Sequence, residues 1–321
     1  MRSPNTTLLF VIWFNLSACQ VNTPPPDEDS GWDDTKSFAE NCFPEHENFT
    51  SIAPDYDQYN PVYGRHCAGT AHQEITGIEK IVFLGDSITA GTPPTPEEDY
   101  YRNQLVSTLQ EEATSLEVVN CAQWGARTDD ILSKPHEQLL TCVPQPESKP
   151  TLIVMTVGGN DMFEAAKVVQ ETGDTTQAAV VIDRTLEYFE EAITWMRDNE
   201  TTHFPGGLFI VFSNIYEYTD ATGNMGSCPA ASALGFGAQV PELAEGYIRV
   251  NEEYLRIAVE TNTDMVFLLE HFCGHGFESE NPDSPCYIGP ETEVWFDGTC
   301  IHPNPLGHHK ISELFAKMVV Q

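Results

Sequence analysis

From residue 78 onward the chain alternates between two hydrophobic rhythms. Five short apolar runs, rich in Val, Ile, Leu and Phe and bounded by Gly or polar residues, recur along it: KIVFLGD from Lys80, LEVVNCA from Leu116, TLIVMTV from Thr151, GLFIVFSN from Gly207 and DMVFLLEH from Asp264. Continuous runs of this length suit strands buried on both faces of a sheet. Between them the apolar positions fall at helical spacing, which predicts helices over Tyr100–Ala113, about Thr175–Asn199, Pro241–Thr261 and, closing the chain, Leu306–Val320. Strands alternating with helices predict the α/β class, a three-layer α/β/α sandwich around a mainly five-stranded parallel sheet. Ligands of such sheets gather beyond the carboxyl ends of the strands, so functional residues are sought just after each apolar run.

The segment ahead of this domain (78–321) has a different character. MRSPNTTLLFVIWFNLSAC carries one arginine, an apolar run too short to span a bilayer, and small residues before Cys19, the layout of a secretory signal over residues 1–18. LSAC resembles the lipobox of bacterial lipoproteins, which implies a lipid anchor on Cys19 and a place in the cell envelope. Gln20 stands where an inner-membrane retention aspartate would, so the resemblance implies the outer rather than the inner membrane of a Gram-negative cell. Residues 19–40 are Pro-rich and acidic and read as an extended, self-repelling tether. Residues 41–77 read as an N-terminal extension stapled by a disulfide.

Composition narrows the partners. With 15 Lys+Arg against 49 Asp+Glu the net charge is −34, which argues against nucleic acid or an anionic lipid surface as a ligand. Of nine cysteines, Cys19 is set aside for lipid; the remaining eight suggest up to four disulfides, with 105 possible pairings among which sequence does not choose. His271, Cys273 and His275 form a small cluster, but no CxxC pair or zinc-type spacing occurs, and neither metal nor organic cofactor is expected.

The strand ends carry the chemistry. After the first run comes GDSITAG, which puts Ser87 at the turn out of the strand; after the second, Gly125 is free to bring a backbone N–H close to a ligand; after the third, GGND offers the amide of Asn160. Together these supply a nucleophilic hydroxyl and donors for a developing oxyanion, as acyl transfer requires. His302, in HPNPLGH before the last helix, supplies the missing base, with an imidazole pKa suited to taking and returning a proton. The four blocks FLGDSITAG (83–91), the Gly125 segment, VGGND (157–161) and HPNPLGH (302–308) resemble, in order and spread, those of GDSL-type, or SGNH, hydrolases over about three quarters of the chain. The resemblance implies a flavodoxin-like SGNH fold, Ser87 as nucleophile, His302 as general base, and an oxyanion hole from the N–H groups of Ser87 and Gly125 and the amide of Asn160. It implies a serine esterase that forms an acyl-enzyme on short-chain, lipid or sugar-linked acyl esters. The chain is expected to act as a monomer on a small-molecule or glycan-linked substrate.

One departure stands out. The family places its acid three residues before the histidine; that position here is Thr299, and the nearest aspartate, Asp297, stands five before. Asp297 reaches the His302 ring only if the loop folds back, for which Gly298 offers an easy turn and Cys300 a disulfide pin. The alternatives are a backbone carbonyl near Thr299, leaving a Ser–His dyad, or an acid from elsewhere such as Glu293. Asp86 is expected to bond the turn backbone, His308 and His309 to be surface or packing residues, and Tyr188, Phe189 and Trp195 to form one core-facing side of a helix. The connections 217–240 and 272–296 are expected to overhang the site. A second reading, a surface binding protein on an inactive scaffold, requires loss of site residues that are all present. A third, a flavodoxin-like cofactor binder, lacks a basic residue in GDSITAG for phosphate.

Overall fold

The computed structural model describes residues 32–33, 35–46, 48–49, 53–64, 66–112, 115–133, 137–237, 240 and 242–320. The expected signal segment, Cys19 and most of the expected tether lie outside the described residues. Five strands form the sheet: β1 (Lys80–Gly85), β2 (Glu117–Asn120), β3 (Thr151–Thr156), β4 (Leu208–Ser213) and β5 (Asp264–Val266). The helices are α1 (Phe38–Cys42), α2 (Ser87–Ala90), α3 (Tyr101–Glu112), α4 (Gln138–Cys142), α5 (Gly159–Thr172), α6 (Thr175–Asp198), α7 (Glu200–His203), α8 (Glu242–Thr261), α9 (Leu268–Phe272) and α10 (Pro305–Val319).

All strand pairs are parallel, in the order β2-β1-β3-β4-β5. The side-chain period of two sends successive residues to opposite layers. Val82, Leu84, Ile153, Met155, Ile210 and Phe212 pack with α6 and α8, whereas Ile81, Phe83, Leu152, Val154 and Val211 pack with α3 and α10. Both faces are therefore covered, which is why these runs are continuously apolar. The order reverses direction between β1 and β3, and this switch point opens a crevice at the strands' carboxyl ends.

Three expectations change. β2 is an edge strand, half-exposed with Val118 open to solvent, rather than buried on both faces. The fifth apolar run is a strand for only three residues and then coils into α9, so Leu268 and Leu269 are buried on a helix. A further helix, α5, starts inside the GGND turn itself.

The N-terminal segment is part of the same core. Gly69 bridges Val266 in antiparallel fashion and Thr70 N–H donates to Met265 O, covering the outer edge of β5. Phe38 stacks on Tyr63 at 4.5 Å and Tyr56 on Phe267 at 5.5 Å, while Cys42–Cys67 ties the segment to itself. The other disulfides are Cys121–Cys142, Cys228–Cys300 and Cys273–Cys286. Phe189 sits in the core stacked on Tyr254, with Tyr188 and Trp195 half-buried on the same helix.

Candidate active site

β1 ends in a glycine because nothing else fits. Gly85 has φ +112°, and a Cβ there would lie 1.9 Å from Thr156 O. Gln138, from α4, clamps both sides of that residue: its Oε1 accepts the Gly85 N–H at 2.7 Å and its amide donates to Gly85 O at 2.9 Å. The next residue, Asp86, caps α2 by accepting Ile88 N–H at 3.0 Å and takes the Thr156 hydroxyl at 2.9 Å. It thus bonds the turn, as expected, and burial pushes its carboxyl up to about 7. Ser87 is left at the start of α2, facing the crevice.

His302 arrives from the other end of the chain. Its Nε2 lies 2.8 Å from Ser87 Oγ. The loop that carries it is closed like a hairpin: Phe296 bridges Pro303, and Asp297 N–H donates to His302 O at 2.9 Å. Asn304 then caps α10 by accepting Gly307 N–H at 2.9 Å, with Pro305 in the first turn, so the histidine is held between a closed loop and a fixed helix start. Burial holds the His302 pKa below its ordinary value, partly offset by the Asp297 charge.

The loop does fold back, but neither as expected nor to the expected contact. The left-handed residue is Cys300, at φ +82°, held in the disulfide to Cys228, and not Gly298. Asp297 does not bond the His302 ring. The Thr299 hydroxyl stands between them, 2.8 Å from His302 Nδ1 and donating to Asp297 Oδ1, which also accepts Thr299 N–H at 2.8 Å. Nor does Glu293, the other acid considered, take that place: its side chain is exposed, and its carbonyl bonds His275 Nδ1.

The remaining candidates lie on segments packed around the β1 turn. Gln123 N–H donates to Gly85 O at 2.9 Å, which brings the Gly125 loop against the β1 turn, and Asn160 Nδ2 donates to Ala126 O at 2.8 Å on that same loop. Among the described residues no acceptor takes the Ser87 or Gly125 N–H. Asn160 is positioned by α5, whose N-cap Gly158, at φ +103°, lies where a Cβ would press within 2.5 Å of Tyr254 Oη. Asp161, buried behind it, accepts from Thr128 N–H, and burial raises its carboxyl to about 6.

Beside Ser87 and Asn160 opens a cleft of about 720 Å³, counted out to open solvent, walled by Phe163, Tyr216, Tyr218, Met225, Tyr247 and Phe296. Tyr218 and Met225 come from the connection 217–240 and Phe296 from the end of 272–296, so both connections do overhang the site. Buried Asp220 joins them, accepting the N–H groups of Gly274, Gly276 and Glu278. Tyr216 Oη donates to Ile301 O at 3.0 Å, fixing the wall to the histidine loop. Trp124, at the neighbouring loop, is 65% exposed, with its ring N–H fixed on Gly91 O at 2.8 Å.

The other histidines are accounted for elsewhere. His308 is buried, accepting Tyr101 N–H and packed on Tyr100 and Tyr101; His309 is exposed. In the possible metal cluster, Cys273 is spent on Cys286, His271 bonds Cys67 O and His275 lies flat on Trp295. Gln138, Thr156 and the aromatic wall carry no sequence signal, because their roles depend on partners 50 or more residues away.

A parallel α/β sandwich with a serine and histidine in hydrogen-bond contact at its switch point is the arrangement of a serine hydrolase. Residues 83–310 match the GDSL-like Lipase/Acylhydrolase family, to which this chain belongs. Among solved structures it is similar to the acetyl xylan esterase AlAXEase (15% identity, 75% of this chain and 100% of that one, TM-score 0.49). It is also similar to a lipase from a goat rumen metagenome (16%, 74% and 95%, TM-score 0.45) and to the psychrotrophic esterase EstA from Pseudoalteromonas sp. (11%, 75% and 96%, TM-score 0.43). No curated protein sequence matches it.

Proposed function

We propose that this esterase is exported, anchored by lipid at Cys19, and cleaves acyl esters through a covalent intermediate on Ser87. The observation that carries the chemistry is the 2.8 Å contact between His302 Nε2 and Ser87 Oγ. His302 takes the hydroxyl proton as Oγ attacks the ester carbonyl, and the oxygen of the tetrahedral intermediate is received by the N–H groups of Ser87 and Gly125 and the Asn160 amide. His302 then returns the proton to the leaving alcohol, the acyl group stays on Ser87, and a water attacks by the same route to free the acid. Asp297 supplies the negative charge behind the imidazolium. Export is supported by the leader-like N-terminus and by four disulfides, which persist in oxidising compartments.

For the substrate, sugar-linked acyl groups fit best. Trp124 offers an open indole face, fixed by its bond to Gly91 O one turn from Ser87, and such a pre-oriented ring stacks on a sugar at little entropic cost. The chain acts as a monomer on small or glycan-linked esters. The test is hydrolysis of ethyl acetate and of an acetylated oligosaccharide, with Ser87→Ala as blank. Both activities vanish in that blank, and Trp124→Ala raises KM severalfold for the oligosaccharide alone. An active Ser87→Ala enzyme contradicts the mechanism, and an unchanged oligosaccharide KM contradicts the substrate.

A further inference from the structure

We propose that Thr299 is the residue that positions His302, acting as a hydroxyl bridge that transmits Asp297 to the ring, so that this active site is a four-member chain Ser87–His302–Thr299–Asp297. The proposal rests on the esterase reading above and extends it.

The geometry fixes the direction of every hydrogen bond in the chain. An ionised carboxylate only accepts, and a threonine hydroxyl has one proton to give. The Thr299 hydroxyl and N–H both converge on Asp297 Oδ1, so its proton is committed there. What the Thr299 oxygen offers at 2.8 Å to His302 Nδ1 is a lone pair, and Nδ1 must therefore carry the ring proton. In a neutral imidazole that leaves Nε2 bare, facing Ser87 Oγ at 2.8 Å. The bridge thus selects the tautomer that can take the serine proton. In acylation the Ser87 proton moves to Nε2 and on to the leaving alcohol, and in deacylation a proton of the attacking water moves to Nε2 and on to Ser87 Oγ; the Nδ1 and Thr299 protons stay where they are.

Three features make this a built arrangement. Thr299 occupies the sequence position, three before the histidine, where the acid of the resembled family stands, so the side chain at that position meets Nδ1 here as well. Asp297 is 8% exposed, and its second oxygen is buried without a partner, so the hydrogen bonds that hold its carboxylate come from Thr299 alone among the described residues. The Cys228–Cys300 link and the Asp297 N–H bond to His302 O hold the loop in the shape that sets the three side chains in line.

The experiment uses the full-length enzyme and five variants. Thr299→Val removes the bridge and keeps the shape; it lowers kcat about 100-fold or more with KM little changed, a loss of the kind caused by a mis-set histidine tautomer. Thr299→Ser restores kcat to within a few-fold. Asp297→Ala matches Thr299→Val, and the double variant Thr299→Val/Asp297→Ala loses little beyond either, because the pair acts as a unit. Thr299→Asp in the Asp297→Ala background recovers activity, since the carboxylate then meets Nδ1 directly. Proton NMR reads the bridge without substrate: the downfield His302 Nδ1 proton resonance is present in wild type and Thr299→Ser and displaced in Thr299→Val. Full turnover in Thr299→Val, or an Nδ1 resonance indifferent to Thr299, overturns the proposal. A wild type that hydrolyses no ester but whose Nδ1 resonance responds to Thr299 overturns the esterase reading and leaves the bridge standing.

Discussion

At the scale of single residues, the site depends on how burial and charge divide the titration of His302. Removal from water lowers its pKa and the Asp297 charge raises it again, with burial the larger effect. The proposed base must be neutral to act, so the acid limb of kcat/KM falls below pH 6.5, the ordinary histidine value. Asp297→Asn keeps an acceptor for the Thr299 hydroxyl but removes the charge that favours the imidazolium. It therefore moves the acid limb to still lower pH while reducing kcat. A pH–rate profile of both enzymes checks this, and a limb that moves upward in the variant contradicts it. That Ser87, Asn160 and His302 would be gathered at one candidate site was legible in the sequence, because they follow apolar runs or precede the last helix. How Asp297 and His302 connect was not, since a residue count gives no loop conformation. Cys300, and not the more permissive Gly298, takes the left-handed turn, and a threonine fills the gap.

At the scale of elements, each strand end is locked by a neighbour distant in sequence. Gln138 satisfies the buried N–H and C=O of Gly85 from α4, and α4 is itself fixed to the end of β2 by Cys121–Cys142. Gln138→Leu leaves the buried Gly85 N–H unpaired, while Gly85 O keeps the Gln123 N–H, and costs about 1–3 kcal/mol of stability, the cost of one buried unsatisfied group. Denaturant melts measure it, and a loss below about 1 kcal/mol contradicts the clamp. β1, β3 and β4 were plain from their apolar runs because a sheet covered on both faces leaves no polar alternation, while the run of β2 gave the strand but not its half-exposed edge position. β5 was over-long in the reading because an apolar run does not separate a buried strand from the buried turn of helix, α9, that follows it. α5 escaped notice because its first residues, GGND, are turn formers, and much of its buried face is small: Ala165 and Ala166 beside Met162.

At the scale of the whole molecule, the described chain from Asp33 onward is one compact unit in which disulfides tie the site to its roof. Cys228–Cys300 spans 72 residues and joins the cleft-lining connection to the histidine loop. Replacing both cysteines by serine costs about 4 kcal/mol by the chain-entropy estimate, and it lowers kcat through the loosened loop. Thermal melts and kinetics on the same preparation check both effects; unchanged turnover contradicts the coupling. The order β2-β1-β3-β4-β5 places the reversal between β1 and β3, and from that one point follow the neighbouring positions of Ser87 and Asn160. The alternation of strands and helices predicted this sheet, whereas the aromatic wall over the cleft is assembled from α5, α8 and connections too irregular to read in advance.

The central claim is that Ser87, activated by His302, carries the acyl group. It is tested most directly by treating the native enzyme with a fluorophosphonate ester and mapping the adduct by peptide mass spectrometry. The account predicts one adduct per chain, on Ser87, formed at a rate that falls at least about 100-fold in His302→Ala. Labelling at another residue, or labelling of Ser87 at the same rate without His302, would contradict it.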